Sequence, residues 1–465
     1  MKLRKSPFKT DRLEKDPNGY ALRIMEINNC AMALFNNKNI LITGPRGIGK
    51  SSLAYQLQNL YSPDSTLLKR CKIDGTLEKY IKVFYVCDRN STLADICLDL
   101  LHRIERECLL LKTYDVGAKK NVSFELNLGV FKAAIENEIV AKSPGSIITQ
   151  LVQGLNEVYR VLNIMNFKGI NILIDEIDLV SKDINVARFL ELVHEYCIRD
   201  GLENITFILA GQLGTYSRLL TEDKSSERLL MHIPISKLVY EASEHILDYS
   251  SAHAKPPFRI GSEARKSILK IAGGYPYIIH LLADAAFMFM DNVSNMKMTD
   301  VTDGLAHVLR SDKQDKYISH LSVLNSAQRI TLVTMASYIS TELPARIPIT
   351  WLLDELKGLR LEIQDVDFEN PTVVKSIINQ IREKGFLILN KSDGVCQFND
   401  ELFRFFLLLR NKYTDFEEIA DDEKPQMVPY DEQEITDIVD YIHKTELNPF
   451  WDFDQYHDLM NSTTT

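Results

Sequence analysis

The sequence predicts an α/β fold: a parallel sheet covered by helices on both faces, then a helical domain, then a winged helix. Three observations predict it. Apolar runs of strand length recur at 39–43, 82–87, 170–174 and 205–210, separated by stretches with helical spacing. A glycine-rich loop follows the first of these runs at once and opens a helix. From 326 to 413 the order is three helical patterns, a strand, a turn, a strand and a helix.

The sheet comes first along the chain. Strand 39–43 leads through glycines into 51–60, which has helical spacing, and strand 82–87 leads into a helical pattern near 93–111. Strands 170–174 and 205–210 continue the sheet, and a last short strand falls around 230–235. Between 119 and 132 the residues Val122, Phe124, Leu126, Leu128 and Val130 alternate with mostly polar ones, which predicts a hairpin inserted in the core. Sheet architecture ends near residue 240, after which 241–254, 262–272, 275–290 and 299–310 read as helices. The helices of the third domain are expected near 326–338, 348–359 and 371–384, its strands at 386–389 and 395–398. The domains are therefore placed at 29–240 (core), 241–315 (helical lid) and 320–413 (winged helix), with a lead segment at 1–28 and a tail at 414–465.

Composition narrows the class. At 465 residues the chain exceeds a single compact core, and 45% hydrophobic with 25% charged residues is ordinary for a soluble globular protein. No apolar run reaches the length needed to span a bilayer, and the basic start runs into polar residues without a hydrophobic segment. These features predict a cytoplasmic protein with no membrane partner. The net charge of −10 is a property of the tail, where fifteen Asp or Glu stand against Lys424 and Lys444. The rest of the chain sums to about +3, so a phosphate-binding surface on the body is compatible with the overall acidity. The seven cysteines are odd in number and scattered without a C-x-x-C pair, and read as reduced packing residues. His194 and Cys197, three apart in HEYC, have no second ligand pair and read the same way.

The chemistry is concentrated in two motifs. Gly44-Pro45-Arg46-Gly47-Ile48-Gly49-Lys50-Ser51 fits G-x-x-x-x-G-K-[ST] and lies between a buried strand and a helix N-terminus. Backbone N–H groups of such a loop, with Ser52 behind it, close around phosphates, Lys50 reaches the β and γ phosphates, and Ser51 ligates Mg2+. Asp175 and Glu176 stand at the end of an apolar strand, 125 residues after Lys50. Asp175 is the candidate for the metal shell, and Glu176 for orienting the attacking water, because phosphoryl transfer needs positioning and charge stabilisation above all.

With GPRGIGKS, LIDE, a strand ending in Ala210-Gly211-Gln212 and Gly273-Gly274-Tyr275-Pro276, the sequence resembles AAA+ and STAND P-loop ATPases. It is similar to their initiator-like members, the origin-recognition and transposition-regulator ATPases, over roughly 20–413. The resemblance implies a RecA-like sheet, ATP and Mg2+ as cofactors, hydrolysis to ADP and phosphate, and a homo-oligomer in the ATP state. It also implies Gln212 as a polar sensor beside the γ-phosphate and Arg228 as a finger directed at a neighbouring subunit's phosphate. The alternative for Arg228 is an ion pair with Glu222, Asp223 or Glu227. The lid motif lacks the arginine that many AAA+ proteins place at a second sensor and resembles the G-x-P of STAND switches. That implies Pro276 packed on the base, and slow turnover with long-lived nucleotide states. Asn390-Lys-Ser-Asp393 spells a guanine-recognition motif, but in a hairpin turn of another domain, so adenine is expected.

Two outputs stay open. The winged helix, with Lys375, Arg382, Lys384 and Lys391 as a local basic patch, suits DNA, yet eleven basic and eleven acidic residues over 326–413 suit a protein or intersubunit contact as well. The acidic tail with Phe450, Trp451, Phe453 and Tyr456 can be a solvated extension, an autoinhibitor or a recruiter of a basic partner. The expected function is an ATPase switch whose nucleotide state controls oligomerisation and engagement of a protein partner or DNA. The alternative is a DNA-associated adaptor that holds ATP structurally with little turnover.

Overall fold

A computed structural model of the chain describes residues 5–62, 65–73, 79–88, 91–114, 128–129, 132–133, 144–181, 184–202, 204–212, 214–291, 294–310, 321, 323–338, 342–343, 345–358, 366–390, 394–400, 403–404, 406–407 and 446–447. Most of the expected hairpin at 119–132, the wing tip at 391–393 and nearly all of the tail lie outside these residues. The chain divides into two units, Leu13–Ser236 and a second made of Met1–Arg12 with Lys237–Thr465.

The first unit is the sheet. In chain order it contains α1 (Ile24–Phe35), β1 (Asn39–Thr43), α2 (Lys50–Gln58), α3 (Thr66–Cys71), β2 (Tyr80–Val86), α4 (Leu93–Tyr114), α5 (Pro144–Ile164) and β3 (Gly169–Asp175). It continues with α6 (Val186–Arg199), β4 (Ile205–Gly211), α7 (Thr215–Glu222), α8 (Ser226–Leu229) and β5 (Leu230–Pro234). The strands lie in the order β2-β3-β4-β1-β5, and every pairing is parallel. Ile40 stands opposite Ile208, and Ile172 opposite Phe207. β1, β3 and β4 are buried along their whole length, which is why they read as continuous apolar runs rather than alternating ones.

The two sheet faces differ. On one face Ile170, Ile172 and Ile174 of β3 join Leu41, Phe207 and Leu209 in a single apolar core with α4, α5 and α6. Strand alternation turns Asn171, Leu173 and Asp175 to the other face, where α2 packs and where Gln58 hydrogen-bonds to Asn171. Burying each of these aliphatic side chains contributes about 1.5–3 kcal/mol. Helix α1 spans the boundary expected between residues 28 and 29, and buries Ile27, Cys30, Ala31 and Leu34.

The second unit opens its helical part with α9 (Tyr240–Ala252), β6 (Arg259–Ile260), α10 (Ser262–Ala272), α11 (Pro276–Phe289), β7 (Asn295–Met296) and α12 (Met298–Arg310). Helices α11 and α12 meet closely at Gly304, where an added Cβ would lie 2.5 Å from the Ala286 backbone nitrogen. The N-terminal arm belongs here too. Phe8 is buried, its ring centroid 6.3 Å from those of Phe258 and His280, while Lys9 N–H donates to His280 Nδ1 at 3.3 Å. Burial lowers the His280 pKa to about 4, so this imidazole is neutral at physiological pH.

The remainder of the unit holds α13 (Ser326–Ala336), β8 (Glu342–Leu343), β9 (Ile347–Pro348), α14 (Ile349–Gly358), α15 (Pro371–Glu383), β10 (Leu387–Asn390), β11 (Val395–Phe398) and β12 (Glu446–Leu447). β10 and β11 form an antiparallel hairpin with Leu387 opposite Phe398, and β9 pairs with β11. Helix α13 starts with a capping box between Asn325 and Gln328. One residue of the expected basic patch is occupied: Lys384 Nζ donates to the Val323 carbonyl at 2.7 Å and to Gln328 Oε1 at 2.8 Å. Lys375 is exposed on α15.

All seven cysteines are buried and unpaired. Burial pushes the Cys87, Cys197 and Cys396 thiols up to about 12, far from the thiolate form at neutral pH. The folded chain is therefore expected to show no fast-reacting thiol toward Ellman's reagent at pH 8, and seven once guanidinium is added. One or more rapid thiols in the native protein would contradict this packing. Among the described residues no helix is long and apolar enough to cross a membrane.

Candidate nucleotide-binding site

The glycine loop leaves β1 at Thr43 and enters α2 at Lys50. Gly44 is tightly enclosed, since a Cβ there would sit 3.0 Å from Ile235 Cγ1 and 3.1 Å from the Ile235 carbonyl oxygen. Gly47 and Gly49 have φ of 78° and 98°, a left-handed backbone that side chains disfavour and that curls the loop into α2. Ile48 is fully buried and anchors the turn, whereas Arg46 is exposed. The first turn of α2 presents N–H groups that the helix itself cannot satisfy, beside the positive end of its dipole. A loop of this shape fits a polyphosphate.

Lys50 and the acidic residues face one another. Lys50 Nζ donates to the Pro45 carbonyl at 2.9 Å. Burial lowers the Lys50 pKa, opposed first by Asp178, then by Asp175 and Glu176, while Arg46 adds to the lowering. Asp175 ends β3 and is only 5% exposed. Burial raises its pKa, and a hydrogen bond from the Ser51 hydroxyl, the Glu176 N–H at 2.9 Å and the Lys50 charge counter this. Two hard oxygen donors, Ser51 and Asp175, thus meet at one point, the donor chemistry that Mg2+ accepts. Glu176 is exposed and holds a left-handed backbone at φ 55°, a conformation that costs a non-glycine residue about 1–2 kcal/mol.

Gln212 follows β4, and β4 lies between β1 and β3. It therefore leaves the sheet between the loop and the acidic pair. Its N–H donates to Asp178 Oδ1 at 2.9 Å, and its side chain is exposed. Ser52, expected among the phosphate contacts, accepts a hydrogen bond from the Glu14 N–H at 3.3 Å through its hydroxyl. Arg228 is exposed on α8, and among the described residues no carboxylate pairs with it. Glu222 pairs with Arg218 instead, at 3.4 Å. Pro276 opens α11, in the other unit.

Three participants escaped the sequence reading. Asp178 is the carboxylate that acts most strongly on Lys50, and the signal for it was a third acid in Asp175-Glu-Ile-Asp178. Arg23 is buried and donates to the Ile48 carbonyl at 2.7 Å and the Ser236 carbonyl at 2.6 Å, so it pins the loop. Its signal was a charge within the apolar stretch before α1. His232 on β5 hydrogen-bonds Thr43 Oγ1 at 2.7 Å and stacks on Tyr216, with ring centroids 4.1 Å apart, and nothing local in the sequence announced it.

Residues 33–219 match the AAA domain family AAA_22. No curated protein matches the chain. Among solved structures, the chain is similar to the Walker-type ATPase PABY2304 of Pyrococcus abyssi, with a TM-score of 0.55 and 13% identity, over 85% of this chain and 98% of that one. It is also similar to the ORC2 protein of Aeropyrum pernix, solved as ADPNP-ADP complexes, with a TM-score of 0.50 and 13% identity, over 87% of this chain and 98% of that one. At such identities the likeness is one of fold. The match to an AAA domain at residues 33–219 thus falls within the unit built on a five-stranded parallel sheet, and the chain has the fold of a P-loop NTPase.

Proposed function

We propose that the chain is a slow ATPase switch. It binds ATP with Mg2+ at Gly44–Ser52, and its nucleotide state governs association between copies and engagement of a protein partner or DNA. The observation that carries this reading is the convergence on Lys50 of Asp175, Asp178 and Glu176, three carboxylates from the end of β3 and the turn after it. ATP supplies a terminal phosphoryl group for transfer to water, and the magnesium ion neutralises charge on its oxygens. Amides of the loop and the first turn of α2 bind the phosphates, and Lys50 adds a positive charge partly withdrawn from water. Ser51 and Asp175 hold the cation. Glu176, exposed and fixed by its own N–H to Asp175, orients water and accepts its proton. Gln212 contacts the terminal phosphate from the edge of the acidic cluster.

Arg228 supports the trans arrangement because it is a cation with no carboxylate partner among the described residues. We read it as the finger directed to a neighbouring copy. The 326–398 segment, with three helices and an antiparallel hairpin, supports a winged-helix output domain. The test is the mass of the full chain in solution with ADP, with a non-hydrolysable ATP analogue, and with the analogue plus duplex DNA. A larger species with the analogue is expected. Arg228→Ala should abolish that species while leaving nucleotide affinity within about threefold, since an exposed side chain contributes little within its own subunit. A larger species that persists in Arg228→Ala discards the finger. No species that depends on nucleotide discards the switch in favour of a passive adaptor.

A further inference from the structure

Four buried polar side chains meet where the end of α2 and the turn after it pack on β3 and β4. Gln58 is 3% exposed, Tyr61 2%, and Asn171 and Thr206 are fully buried. They form one network. Gln58 Nε2 donates to the Val83 carbonyl at 3.0 Å, to Asn171 Oδ1 at 3.1 Å and to the Asn171 carbonyl at 3.3 Å. Asn171 Nδ2 donates to Thr206 Oγ1 at 2.9 Å, and Tyr61 Oη shares that same oxygen at 3.2 Å. Asn171 and Thr206 stand opposite each other in the β3–β4 register. The network thus ties the end of α2, through the turn that carries Tyr61, to β2, β3 and β4.

Its placement relative to the candidate site is regular. Gln58 lies seven residues after Ser51 on α2, and a heptad returns to the same helix face within about 20°. Asn171 lies four residues before Asp175 on β3, and an even spacing keeps both side chains on one face of the strand. So α2 and β3 are joined by two rungs. One is Gln58 with Asn171, deep in the sheet, and the other is Ser51 with Asp175, at the site. They are separated by about 10 Å along the helix and about 13 Å along the strand. Apolar packing at the deep rung would be non-directional, whereas hydrogen bonds define one register of helix against strand. Interiors are packed too densely to absorb a shift, so a slide of α2 at Gln58 reappears at Ser51. Magnesium demands near-ideal octahedral geometry with ligands at about 2.0–2.1 Å, so it is the ligand most sensitive to such a slide.

We propose that Gln58, Asn171, Thr206 and Tyr61 are positioning residues that set the Ser51–Asp175 separation and thereby the affinity of the site for magnesium. The proposal rests on reading that site as a nucleotide and magnesium site. It predicts that removing the network separates two quantities that a merely structural role would move together: nucleotide affinity without metal, and the magnesium requirement. In Gln58→Met/Asn171→Leu both partners become apolar at similar volume, which leaves few polar atoms stranded and keeps the fold testable.

The experiment titrates a fluorescent ATP analogue into the full chain in EDTA, then magnesium into the analogue-bound chain, with thermal unfolding alongside. The double variant is expected to bind the analogue in EDTA within about threefold of wild type, while its magnesium midpoint rises about tenfold or more, the scale of lost support behind metal ligands. A folded double variant with a magnesium midpoint within twofold of wild type overturns the proposal. Should the double variant not fold, Tyr61→Phe removes a single hydroxyl from the network. A rise of about threefold in the midpoint supports the proposal and an unchanged midpoint overturns it. Wild type that binds no analogue in either condition overturns the nucleotide reading itself, an outcome distinct from both.

Discussion

Lys50→Ala is expected to weaken binding of ATP with magnesium by at least about a hundredfold while the chain stays folded. A hydrogen bond to a charged group contributes about 1.5–3 kcal/mol, and each 1.4 kcal/mol is tenfold in affinity. Two further effects add to that loss. Lys50 is partly withdrawn from water, so its attraction for phosphate is less screened than at an open surface. Its removal also leaves Asp175, Asp178 and Glu176 facing the phosphates uncompensated. The fold should tolerate the change, because the side chain extends from the first residue of α2 and its amine is committed to the Pro45 carbonyl of the loop. Isothermal titration of ATP with magnesium into wild type and variant measures the loss, and unfolding midpoints within a few degrees control for stability. The pH dependence has a definite sign. Burial lowers the Lys50 pKa, so its charge, and with it ATP affinity, is lost as pH rises, earlier than for an exposed lysine. Affinity within threefold of wild type in Lys50→Ala would remove the loop from the account of this protein.

The parts of this site that sequence alone conveys are those set by local pattern. β3 is buried at all seven positions, and the loop after β1 needs glycine at Gly47 and Gly49, so both leave an imprint on consecutive residues. Contacts made across the fold leave none. Arg23 reaches Ile48 and Ser236, 25 and 213 residues away, and reads only as a charge before a helix. Asp178 acquires its importance from a short turn after Glu176 that returns it toward Lys50 and the Gln212 N–H. Asn171 lies within an apolar run and is hidden by it, since one polar residue does not interrupt a strand pattern. Lys384 adds a detail that counting charges does not give, since the fold directs its amine to Val323 and Gln328. Strand ends shift for a related reason. β2 begins at Tyr80, before the apolar run is evident, and Cys87 lies beyond it although its N–H still donates to the Asp175 carbonyl at 3.0 Å.

Glu176→Gln should separate binding from turnover, with phosphate release falling about a hundredfold to a thousandfold and ATP affinity retained. The substitution is close to isosteric, so it removes the charge and basicity of the side chain and little else. The backbone argues for that side chain having a task. Glu176 occupies a left-handed conformation at φ 55°, its N–H committed to Asp175 Oδ1, so the chain accepts a local cost in order to project an exposed carboxylate beside a buried one. The two acids differ in environment as their proposed roles require. Asp175 is enclosed, hydrogen-bonded by Ser51 and favoured in its charged form by Lys50, which suits a fixed metal ligand, whereas Glu176 is open to the solvent from which the attacking water comes. Single-turnover phosphate release with labelled ATP, beside equilibrium binding, measures both quantities at once. In Glu176→Gln the ATP-bound state should accumulate, and the ATP-dependent assembly should therefore last longer than in wild type. Unchanged phosphate release would move the water-orienting role to Asp178, which also acts on Lys50, and Asp178→Asn would then carry the loss. Unchanged release in both variants would leave ATP as a bound structural ligand, with the acidic cluster serving to hold Lys50 and the cation in place.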